Sequence, residues 1–160
     1  MTVKIGAALV AVVVFAFYFV SATADEEKAW FDLGNCDFCK NLMAEEGLMD
    51  HIRKWEHHNT HNGSLTIAVV DKEYVPAFKR AGKNMEMVAE RLKNGEQVNM
   101  CGMCMSYGNL MQQGAKLEEI DSDNVFITMM YAEDPAVIEQ IHMHTDRTND
   151  ELAKMSEMQE

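Results

Sequence analysis

Proline is scarce in this chain, with two in 160 residues, Pro76 and Pro135. Both fall where a helix is expected to begin, a position at which a missing N–H costs nothing. Neither is placed to face a Cys-x-x-Cys pair from a neighbouring strand, which excludes a thioredoxin-type redox site. Basic residues are also few, 14 Lys and Arg against 26 Asp and Glu, for a net charge of −12. Such a field opposes approach to phosphate backbones and anionic membranes, so nucleic acid is excluded as a partner. The surplus acid instead suits a soluble exported protein. The chain has no Gly-rich phosphate loop after a strand, no His-Glu-x-x-His and no Gly-x-Ser-x-Gly. Its carboxylate pairs, Glu45-Glu46 and Glu118-Glu119, read as solvated faces, and no side-chain acid–base machinery is visible. The residues therefore point to a binding protein before an enzyme.

One long apolar run is present, from Ile5 to Val20, after a single Lys4 and before Ser21-Ala22-Thr23-Ala24 and the acidic Asp25-Glu26-Glu27. That order of charged, apolar and small residues predicts a signal peptide over residues 1–24 and export to a periplasmic or secreted location. The run is also long enough to serve as an uncleaved anchor, the one way in which a membrane would be a partner. Residues 25–160 are then one domain, since the length suits a single core.

Within that domain the sequence reads as a duplication over about 36–95 and 101–157. Each copy opens with Cys-x-x-Cys, continues into a helix, then a hairpin, then a long helix. In the first copy a helix is expected from Cys36 to about Lys54, a hairpin turning at Asn62-Gly63 with positive φ at both residues, and a helix over about 75–93 stopped by Asn94-Gly95. In the second, a helix runs to about Gln113, extended segments cover 115–121 and 125–131, and Asp134-Pro135 opens the last helix. A shift of sixty residues puts Leu65 on Val125, Ile67 on Ile127, Val69 on Met129 and Phe78 on Ile138. The cysteine pairs lie sixty-five apart, which assigns the first copy about five extra residues between its cysteines and its hairpin. The predicted class is α+β: two hairpins form a four-stranded antiparallel sheet covered by helices. Leu65, Ile67, Val69, Phe78, Val125, Ile127, Met129 and Ile138 are expected to be substantially buried.

The four cysteines, Cys36, Cys39, Cys101 and Cys104, carry the chemistry. Cys-x-x-Cys is the knuckle spacing of structural zinc, and two pairs brought together make a closed site of four thiolates. Thiolates also suit Cu(I), and Met100 and Met103 flank the second pair. The leading expectation is an exported protein that binds zinc or copper. A disulfide-stapled interaction or sensory domain is the third reading, with another exported protein as its partner. Thiol redox chemistry is the second, because both pairs precede helices whose dipoles favour thiolate. The segment from Glu96 to Cys104 resembles the Cys-x-x-Cys turn of DsrE-type sulfur-relay proteins, and the resemblance, confined to that turn, implies a sulfur-relay alternative.

Histidine is the remaining ligand type. His57 and His61 are expected on one face of the first hairpin, with His58 on the other, so they are candidate metal ligands, as are Met100 and Met103. In the last helix His142 is expected to border the apolar stripe and His144 to lean away from it.

Overall fold

A computed structural model of the chain describes residues 28–157. The segment read as a signal, residues 1–24, lies outside them. Among the described residues no helix is long and apolar enough to cross a membrane.

The chain runs through α1 (Lys40–Met43), β1 (Ile52–Thr60), β2 (Gly63–Val70), α2 (Val75–Lys93), α3 (Gly102–Gln112), β3 (Lys116–Ser122), β4 (Val125–Tyr131) and α4 (Pro135–Glu157). The fold is α+β, with one antiparallel sheet in the order β1-β2-β4-β3. The helix boundaries follow local chemistry. Asp134 caps α4, its Oδ1 accepting from the Ala136 N–H at 2.9 Å, with Pro135 next in line. Gly95 takes a φ of 81°, and the Gly95 and Glu96 N–H groups bond back to Leu92 and Arg91, ending α2. Gly114, with a φ of 100°, ends α3 in the same manner.

Three expectations need correcting. The helix expected to reach Lys54 stops at Met43, and β1 has already begun at Ile52. Ala44 caps it, and Gly47 keeps it from resuming: its φ of 72° takes the chain out of helical geometry, and a Cβ there would lie 3.1 Å from the Tyr74 hydroxyl oxygen. The first hairpin turns at His61-Asn62, one residue early, with Thr60 paired to Gly63. Neither Asn62 nor Gly63 has a positive φ. Gly63 answers a different need, close approach between strands: a Cβ there would lie 1.9 Å from the Met130 carbonyl oxygen.

The third correction concerns the buried face. Leu65, Ile67, Val69, Val125, Ile127 and Met129 are only half-buried, whereas Phe78 and Ile138, on the long helices, pack against the core clusters as expected. The buried strand residues are those of the other parity, Ser64, Ala68, Val70 and Met130. Side chains alternate along a strand, so a phase error of one residue exchanges the two faces. The small side chains of Ser64, Thr66 and Ala68 let α4 lie close over β1 and β2, which it contacts more than any other strands. Apolar residues then close the two ends of this face. Leu110, Ala115, Met130, Ala132, Val137 and Ile141 form one cluster, and Leu42, Leu48, Val70, Ala77 and Ala81 the other.

Candidate metal centre

Both cysteine pairs stand where a backbone turn meets a helix start. Cys101 is the N-cap of α3, with Cys104 in its first turn, and Cys39 is the N-cap of the short α1. The chain between them folds out and back through two strands and α2, and returns beside its own beginning. Backbone bonds join the two knuckles: the Asp37 N–H donates to the Asn99 carbonyl at 2.8 Å, and the Asn99 N–H donates to the Asp37 carboxylate at 2.9 Å. The lead segment adds two more, Gly102 N–H to the Ala29 carbonyl at 2.9 Å and Met103 N–H to the Trp30 carbonyl at 3.0 Å. Trp30 is buried over this join, with its indole N–H directed at the Thr148 hydroxyl at 3.3 Å.

The four sulfurs converge as a result. Cys36 to Cys104 measures 3.6 Å, Cys39 to Cys104 3.6 Å and Cys39 to Cys101 3.7 Å. All four ligand atoms lie within 4.8 Å of one another. No pair stands at the disulfide bond length of about 2.05 Å, and all four are free thiols. Cys36, Cys39 and Cys101 are buried, and Cys104 is partly so. The three measured contacts all run between the pairs, not within them.

A tetrahedron with metal–sulfur arms of about 2.3 Å has edges of about 3.8 Å. The sulfur spacings fall close to that edge, and four soft thiolates are the donor set that zinc and iron select. The residues therefore fit a metal ion.

The electrostatics of the thiols are uneven. Cys101 is held well below the usual thiol range, first by sulfur hydrogen bonds from Cys104 and Cys39, and then by backbone N–H groups of Cys104 and Asp32. Cys39 and Cys104 are pushed up, chiefly through their sulfur hydrogen bonds to Cys101, and burial adds to both. Cys101 is thus the thiol that loses its proton most readily, chiefly through the neighbouring sulfurs, and metal binding would displace the protons of the others. The backbone N–H groups aimed at sulfur would continue to orient the ligand and spread its charge.

The other candidate ligands divide. Met103 packs against the cysteine cluster. Met100 is not among the residues packed against that cluster; its carbonyl accepts from the Lys28 ammonium at 3.3 Å. His57 and His61 do not come together: His61 is exposed in the hairpin turn, whereas His57 points inward and bonds Thr66 Oγ1 at 2.9 Å. In α4 the expected roles are reversed. His144 lies inward against Trp30 and Tyr107, with Nδ1 2.9 Å from Ser106 Oγ, while His142 reaches the Thr60 carbonyl near the first turn. The true inward stripe of α4 runs through Val137, Ile141, Thr145 and Thr148. Its polar threonines hid that phase from a reading based on apolar periodicity.

One further group of ligand types gathers among the described residues, His51, Asp71 and Glu73. The Asp71 carboxylate is already engaged by the Arg53 guanidinium and by His51 Nδ1 at 2.8 Å, which pull its pKa down to about 2. His51 also stacks on Tyr74 at 3.8 Å between ring centroids. This is an ion-pair cluster that steadies the end of the first hairpin.

Comparison of the chain with protein-family models, with curated proteins and with solved structures finds no match.

Proposed function

We propose that this is an exported metal-binding protein whose two Cys-x-x-Cys pairs hold a single zinc ion, which clamps the N-terminal knuckle to α3. The observation that carries the reading is the sulfur geometry: spacings of 3.6 to 3.7 Å between the pairs, against the edge of about 3.8 Å for a tetrahedral thiolate site. Four protein ligands with three of them buried leave no open coordination position, and a closed site is the structural kind. Met103 beside the cluster is the feature that favours Cu(I) as the second reading. Export is supported by the order of residues from Lys4 to Glu27.

An internal duplication accounts for the symmetric supply of ligands. Each half contributes a cysteine pair, a hairpin and a long helix in the same order. The central strands pair about Ile67 and Ile127, the two residues that a sixty-residue shift superposes. The length difference between the halves then sits in the hairpins. Ile67 pairs with Glu56, eleven residues earlier, and Ile127 with Ile120, only seven earlier. The second hairpin is the shorter, and the distance from cysteines to first strand is nearly equal in both halves.

Native mass spectrometry of the protein recovered from an extracytoplasmic fraction tests the whole reading. The expected result is a chain beginning near Asp25 with one zinc per chain. Cobalt substitution is the companion test, with visible bands of a tetrahedral thiolate site expected and lost in Cys39→Ser and Cys101→Ser. Copper in place of zinc would select the second reading. A metal-free chain with two disulfides would refute both.

A further inference from the structure

Beneath the covering helices, on the inward face of the sheet, lies a cavity of about 330 Å³. That volume is within the range of small-molecule sites, which are mainly apolar with a few convergent polar groups. Its apolar lining includes Trp55, Leu42 and Leu152, and Cys39 is on its wall beside the metal centre. Its polar groups include His57, His144, Tyr107, Thr66 and Thr128, with Glu119 on the edge strand β3.

The two histidines set the chemistry. Each uses Nδ1 on a hydroxyl, His57 on Thr66 and His144 on Ser106, both at 2.9 Å. In each ring Nε2 is left without a protein hydrogen bond among the described residues. A hydroxyl both donates and accepts, so each imidazole can adopt either tautomer and present Nε2 as a donor or an acceptor. Burial lowers both pKa values to about 4, and His57 disfavours the charge on His144 further, so both rings are neutral at pH 7. The interior offers an anion no positive charge, and the net charge of −12 opposes its approach.

We infer that this cavity is a binding site for an uncharged, mainly apolar small molecule of about two fused rings that carries one hydrogen-bonding group, read by His57 and His144. A dry cavity of about 150 Å³ accepts benzene, and this one is roughly twice that size. The inference stands apart from the metal reading: Cys39 is on the cavity wall, but the groups that read the ligand are the two imidazoles and not a thiol.

The test uses full-length, metal-loaded protein with methyl-labelled methionine, titrated with 1-naphthol and, separately, with naphthalene. Met49, Met85, Met103, Met130 and Met155 line the cavity, whereas Met43, Met87 and Met143 are exposed. Saturable ring-current shifts are expected on the first group and not on the second. The naphthol should bind about fivefold or more tightly than naphthalene, the effect of one net hydrogen bond. Thr128→Phe, which places a ring in the cavity, should abolish the shifts. His57→Phe should remove the preference for the naphthol. Shifts confined to exposed methionines, or no saturation with either probe, would overturn the site. Equal affinity for the two probes would overturn the role of the histidines.

Discussion

Removing the metal should destabilise the fold by an amount that follows from where the ligands sit in the chain. An ion held by the four sulfurs would join Cys39 to Cys101, sixty-two residues apart. In the chain-entropy account of a cross-link, closing a loop of that length lowers the entropy of the unfolded chain enough to stabilise the native state by about 4 kcal/mol. The two-residue gaps inside each Cys-x-x-Cys pair add little by the same argument. For one domain of this size, with a total stability of about 5–15 kcal/mol, that is a large share. It corresponds to a fall in melting temperature of about 12–20 °C. The assay is thermal unfolding by circular dichroism under reducing conditions, with and without a chelator, and across buffered free zinc concentrations. Each tenfold rise in free zinc above the dissociation constant should add about 1.4 kcal/mol, less whatever the unfolded thiols bind. Cys39→Ser with Cys101→Ser should reproduce the chelated midpoint and abolish its dependence on zinc. A wild-type midpoint unmoved by chelator, or a double variant as stable as the zinc-loaded protein, would refute the clamp.

Gly63→Ala should cost about 3 kcal/mol or more in urea unfolding, because its Cβ would sit 1.9 Å from the Met130 carbonyl and the two central strands would have to part. Imidazole resonances of His57 and His144 should titrate near pH 4 in the folded protein. Their folded pKa values lie below the unfolded value of 6.5, so their contribution is fully present above pH 6.5 and is lost as pH falls towards 4, by up to about 3 kcal/mol each. Resonances titrating near 6.5 would place the rings in solvent. Trp30→Ala should lower stability by about 3–5 kcal/mol, since the indole is buried over the join between the lead segment and α3. A loss under 1 kcal/mol would mean that the lead segment is not part of the fold.

Features governed by neighbours in the chain were legible in the sequence. The starts of α2 and α4 at their prolines, the glycine stop of α2, the strands β2 and β4 and the four-stranded antiparallel sheet all emerge from spacing and turn chemistry. So does the identity of the four cysteines, because two pairs at knuckle spacing define a donor set wherever the chain carries them. The features missed depend on what the chain meets elsewhere. Gly47, just past the first helix, takes its positive φ beside the Tyr74 ring, twenty-seven residues away. Gly63 is required by Met130 across the sheet, not by its own turn. Alternation along β2 offers two faces, a large β-branched one and a small one, and the choice between them falls to α4, which packs closest over the small side chains. The same packing turns His57 and His144 inward, although His57 is expected beside His61 on the hairpin and His144 away from the apolar stripe. The sequence by itself determined which atoms could bind a metal. That four sulfurs meet within 4.8 Å is decided only by the tertiary structure, because the hydrogen bonds between Asp37 and Asn99 hold together two knuckles that the chain separates by more than sixty residues.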